Sequence, residues 1–171
     1  EALALSGLMI APLGLGAAAA VLVGKAYGAA DRVGVRRFGA LSFGLCAGVL
    51  TLVALIVFAA AGPIAAGFTP DPVLRTVVAA GLVLSCLFFV ADGLQVVAAN
   101  ALRAQSDVVI PTLTHTISYT LVMIPLAWFL AIPMGMGLSG IVWAVAVASL
   151  LAASFLIARF WWITRAPRRA V

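Results

Sequence analysis

The chain has 171 residues, 65% of them hydrophobic and 9% charged, with a net charge of +5 and a mean hydropathy of +1.26. A soluble domain of this size needs far more surface charge, so the composition specifies an integral membrane protein. Repeated apolar runs make it all-α rather than an outer-membrane barrel, and the bases lie between runs, where topology accounts for them and nucleic acid is set aside as a partner.

The first apolar run, about 2–24, contains Pro12, Gly14 and Gly16, which together predict a bend. It starts directly after Glu1 with no basic stretch before it, so it does not read as a signal peptide. The expectation is a fragment that begins at or near the start of a helix. Lys25 ends the run, and 28–37 is the most basic internal loop, with Asp31 placed to cap the next helix. The glycines of this loop lack the spacing and the preceding strand of a nucleotide-binding turn. A second run, about 38–61, carries Gly39, Gly44 and Gly48, small residues that let helices approach closely. Gly62-Pro63 and Thr69-Pro70-Asp71-Pro72 then punctuate the chain, and Asp71 before Pro72 reads as an N-cap plus first-turn proline.

The third run, about 73–102, holds the residue on which the reading turns. Asp92 precedes the flanking base Arg103 by about eleven residues, or about 16 Å along a helix, near the midplane of a ~30 Å hydrocarbon core. An aspartate there costs about 3 kcal/mol on insertion scales, so it should be paired, wet or functional. Gln95 follows three positions on, on the same face, whereas Asn100 is rotated off it. A short polar turn, 103–107, leads into a fourth run, about 108–131, with Thr112, His115, Thr116 and Tyr119 at helical spacing and a second kink predicted at Pro125. The charge-free connection 132–137 leads to a fifth run, about 138–160, which ends in Trp161 and Trp162 with Arg165, Arg168 and Arg169 beyond.

Five alternating spans place Lys25, Arg32, Arg36, Arg37, Arg103, Arg159, Arg165, Arg168 and Arg169 on one side and only Arg75 on the other. That bias puts the carboxy terminus in the cytoplasm and Glu1 outside. Counting outward from the turn at Gln105 and Ser106 brings Asp92 to the depth of Tyr119, with His115 nearer the cytoplasm. The expected arrangement has Asp92 and Gln95 facing a cavity, Tyr119 beside them, and Phe88 and His115 as further lining. A lone carboxylate in lipid is a binding group for a cation or a proton. Cys46 and Cys86 read as packing residues, and one histidine cannot form a multi-histidine metal site, so no metal or other cofactor is expected. No nucleophile–base pair or paired carboxylate is present, so the chain is not expected to be an enzyme.

The stretch 91–99, reading Ala-Asp-Gly-Leu-Gln-Val-Val-Ala-Ala, followed by Ala101-Leu102-Arg103 and Asp107, resembles the multidrug and toxic compound extrusion (MATE) transporters. Ile117-Ser118-Tyr119 and Ile124-Pro125-Leu126 are similar to that family's next helix, and 23–31 to its valine-glycine loop after helix eight. The resemblance spans nearly the whole chain and maps it onto helices eight to twelve, the carboxy-terminal half of a two-lobed transporter. It implies export of cationic or aromatic compounds across the cell inner membrane, driven by sodium or protons. It also implies that Asp92 contributes to the cation site. Phe88 stands where a tyrosine often precedes that aspartate, and Asn100, Ala104 and Ser106 stand where glycine is frequent. The acidic partner in helix seven and the whole amino-terminal lobe are missing from this sequence. Two other readings are a lipid-linked precursor flippase of the same superfamily, disfavoured because no Lys or Arg lies mid-span, and a non-transporting membrane assembly subunit.

Overall fold

The computed structural model describes residues 2–165, with side chains from Pro12 onward except that of Leu87. Glu1, Arg168 and Arg169, used above for orientation, lie outside the described residues. Every described element is helical: α1 (Ala2–Gly28), α2 (Arg32–Phe68), α3 (Pro72–Arg103), α4 (Val109–Ile117), a π-helical turn (Ser118–Met123), α5 (Ile124–Ala131) and α6 (Leu138–Arg165). Three rods, Arg32–Phe68, Val109–Ala131 and Leu138–Arg165, are long and apolar enough to cross a membrane. A fourth is α3, if its halves Pro72–Cys86 and Phe88–Arg103, which meet at 42°, form one span. Pro12–Gly28 is a shorter apolar helix.

The helix starts follow from local chemistry. Asp31 Oδ1 accepts from the Gly34 N–H at 2.9 Å, and Asp71 Oδ1 accepts from the Val73 N–H at 2.8 Å with Pro72 in the first turn. The Asp31 cap moves the start of α2 from the expected Phe38 back to Arg32, winding the basic stretch into helix. Arg36 on that turn lies 5.7 Å over the Trp161 ring. Nor does α2 stop at Gly62-Pro63. It runs on to Phe68, because Gly62 and Pro63 are exposed while Ala61 and Ala65 remain packed on either side. A proline then removes one backbone bond on a face that carries no packing.

The bundle is organised around α3, which packs against α1, α2 and α6. Its contact side is a run of small residues, with Ala91, Gly93, Ala98, Ala99 and Ala101 all buried. Lipid is as apolar as a leucine, so close packing of this kind, rather than hydrophobic burial, is what joins helices in a membrane. The best-packed residues gather at the basic end: Val23 from α1, Val35 and Phe43 from α2, Leu102 from α3, and Leu156 and Phe160 from α6. Phe160 is completely buried across Gly39, where a Cβ would collide with its ring. Leu41, Leu55, Phe58, Trp128 and Phe155 point outward and are exposed, the surface a bilayer would cover.

Two turns at the basic end share one device. Ala30 (φ 56°) and Ser106 (φ 67°) are left-handed residues closing α1 and α3. In each turn the following N–H reaches back five residues, Asp31 to the Ala26 oxygen at 2.9 Å and Asp107 to the Leu102 oxygen at 3.1 Å.

Candidate functional site

A spacing of three on α3 places Asp92 and Gln95 on one face, and the structure closes them into a ring with Tyr119. Gln95 Nε2 donates to Asp92 Oδ1 at 2.8 Å and to the Tyr119 oxygen at 2.6 Å, and the Tyr119 hydroxyl donates to Asp92 Oδ1 at 3.2 Å. All three polar hydrogens of the ring are thereby used, as suits a carboxylate that only accepts. Gln95 is 2% exposed, so it faces packed protein rather than the cavity expected from the sequence, while Asp92 and Tyr119 are half-buried. Gln95 Oε1 is also buried and has no hydrogen-bond partner.

Tyr119 reaches Asp92 from the π-helical turn. There the Ile124 N–H bonds to the Tyr119 carbonyl, five residues back instead of four. The cause lies just downstream: Pro125 has no N–H to offer the preceding turn, and a widened turn rearranges the carbonyls it strands. Where the sequence predicts a kink at Pro125, the structure has a π turn that ends one residue before α5.

The remaining expected residues divide. His115 stacks on Tyr119, with ring centroids 6.2 Å apart and planes 18° apart, one turn toward the basic end. Thr112 and Thr116 do not join the site. Both are exposed, with their hydroxyls bonded to the carbonyls of Val108 and Thr112 in their own helix. Phe88, one turn before Asp92, is half-buried and meets Phe89 edge-on at 5.4 Å. Asn100 donates to the Val96 carbonyl at 2.9 Å and fits against Gly16, where a Cβ would come within 2.7 Å of its amide. Cys46 is buried against Gly93, and the Cys86 thiol donates to the Ala54 carbonyl at 3.4 Å.

One pair escaped the sequence reading. Arg159 Nε donates to Asp107 Oδ2 at 3.0 Å, tying the α3–α4 turn to α6, and the same guanidinium lies 5.1 Å over the Trp162 ring. A recess of about 410 Å³ opens there, lined by Tyr27, Arg32, Gln105, Asp107, Arg159 and Thr164, at the basic end and away from Asp92. The signal was present, since topology counting puts both partners on the same side of the membrane.

The MatE family profile matches residues 3–129. The chain is 46% identical over 163 residues to a probable multidrug resistance protein NorM of Caulobacter vibrioides, covering 95% of this chain and 35% of that protein. Proteins with the same description from Rhodopseudomonas palustris and Deinococcus radiodurans are each 33% identical, over 92% and 97% of this chain and 34% and 38% of their own lengths. The chain thus spans about a third of the length of the curated relatives it matches. With its helical architecture and membrane-length apolar rods, the chain belongs to the MatE family of multi-pass membrane transporters, which are not enzymes.

Proposed function

We propose that this chain is one lobe of an exporter of small organic, often cationic, compounds across the cell inner membrane, coupled to inward flow of sodium or protons through Asp92. An amino-terminal lobe of the same transporter would complete the pathway. In this reading that end, with the carboxy terminus, faces the cytoplasm, which the bases gathered there support. One observation carries the coupling role. Among the described residues, the hydrogen-bond partners of Asp92 are Gln95 and Tyr119, both neutral. A half-buried carboxylate held by neutral donors is oriented without being neutralised, so a cation or proton from outside can supply the missing charge.

The test is Asp92→Asn in a full-length transporter carrying this chain, reconstituted in vesicles. The substitution keeps shape and hydrogen bonding and removes the charge. Gradient-driven efflux of a cationic dye is expected to fall to background at equal membrane abundance, because an ion with no differential affinity cannot bias the two access states. Undiminished efflux would make Asp92 a structural residue.

A further inference from the structure

We propose that His115 carries the proton between Asp92 and the basic end of the bundle; the inference rests on Asp92 being the coupling group. A proton released by Asp92 has about 16 Å to cross before it reaches the flanking base Arg103. Three atoms stand open at the start of that path. Among the described residues, Asp92 Oδ2 and the two ring nitrogens of His115 have no hydrogen-bond partner, and none of the three is buried. Gln95 Oε1, by contrast, is unpartnered but sealed from solvent. His115 stacks on Tyr119, whose hydroxyl donates to Asp92, and it lies four residues nearer the basic end, about 6 Å by the rise of a helix. Imidazole accepts and gives up a proton near neutral pH, and it has a nitrogen for each act.

Asp92 and His115 do not bond directly, so the step runs through a water. The Asp92 O–H bond breaks, the water takes that proton, and it passes one of its own to an open His115 nitrogen. An imidazolium forms as Asp92 returns to the carboxylate that Gln95 and Tyr119 hold. The imidazolium then gives a proton to water at the basic end and is neutral again, while Tyr119 keeps its own hydrogen throughout. The neighbouring elements offer no other station. α3 brings Asp92 and Arg103, the two charges that reach His115, and from Gly93 to Leu102 it carries no titratable side chain. The π turn brings Tyr119, at the depth of Asp92 itself. α6 has no charged residue before Arg159, which is bound to Asp107, and the described part of α1 has none before Lys25. On α2 the Cys46 thiol is completely buried against Gly93. Among the described residues, His115 is thus the accessible titratable group between Asp92 and the basic end.

The experiment uses the full-length transporter carrying this chain, in vesicles held at equal pH on both sides. Net efflux of a cationic dye down its own gradient needs protons to return through Asp92, whereas exchange of labelled for unlabelled dye does not. In His115→Ala and in His115→Gln, which keeps a planar polar group, net efflux is expected to fall at least about tenfold while exchange stays near the parent rate. Imidazole added equally to both sides should restore net efflux in His115→Ala in proportion to its concentration. Pyrazole, of the same shape but too weak a base, should not. Undiminished net efflux in both variants would overturn the carrier. So would a loss of net efflux that imidazole does not relieve, with or without loss of exchange, which would make His115 a packing residue. Parent efflux that moves sodium and no protons would also overturn it, and would leave Asp92 as the coupling group. Undiminished net efflux in Asp92→Asn would sink both readings.

Discussion

Gly39→Ala tests the packing that holds the lobe together. A Cβ built on Gly39 would collide with the tip of the Phe160 ring and lie 2.6 Å from one Cε and 3.2 Å from the other. The ring has little room to yield, with Phe43 edge-on at 5.2 Å, Trp161 at 5.6 Å and no exposed surface. Overpacking of this kind costs about 1–3 kcal/mol. Alanine recovers up to about 1 kcal/mol of helix propensity over glycine. The net expectation is a loss of about 1–2 kcal/mol, read from a reversible denaturing-detergent titration of the full-length protein in mixed micelles. Phe160→Leu should also destabilise, by leaving a cavity. Combined, the new methyl occupies part of the space the ring vacates, and the double variant should exceed the sum of the singles by at least about 0.5 kcal/mol. Strict additivity of the two would show that Gly39 and Phe160 do not meet.

Two further outcomes rest on the ends of the helices. Ser106→Gly relieves a side chain from a left-handed position and is expected to stabilise by about 0.5–1 kcal/mol in the same titration, after the greater chain entropy of glycine is counted; no gain would place Ser106 outside that conformation. For orientation, Gly67 is exposed with open space around its Cα and Val33 is 77% exposed at the basic end. With Cys46 and Cys86 replaced, Gly67→Cys should react with an impermeant thiol reagent from outside intact cells and Val33→Cys should not, and the opposite pattern would invert the topology.

What could be read from the sequence was local or counted. The caps at Asp31 and Asp71 depend on a few neighbouring residues, and both form. The meeting of Asp92, Gln95 and Tyr119 needed only helical spacing and equal depths along a hairpin. The misses share a cause, in that residue type was taken for environment. Arg32, Arg36 and Arg37 looked like loop, yet a capping aspartate winds them into α2. Gly62-Pro63 looked like a stop, although both residues face outward. Thr112 and Thr116 looked polar, but a hydroxyl satisfied by its own helix is free to face lipid. The π turn lay beyond reach because a 3.6-residue period presumes the regularity that Pro125 interrupts.

The gathering of the best-packed residues at one end gives the lobe a root and arms. Leu102, Leu156 and Phe160 are clamped there, whereas Val73, Leu74 and Val77 at the far end of α3 are exposed. Asp92 stands between, about 15 Å above Leu102 at 1.5 Å per residue, with about 29 Å of helix from Asp92 to Val73. A tilt begun at Asp92 about that fixed root is therefore magnified at Val73, by about two and a half times once the 42° between the halves of α3 is counted. In such a lever a small displacement at Asp92 becomes a larger one at Val73, and the fulcrum is Phe160 seated on Gly39.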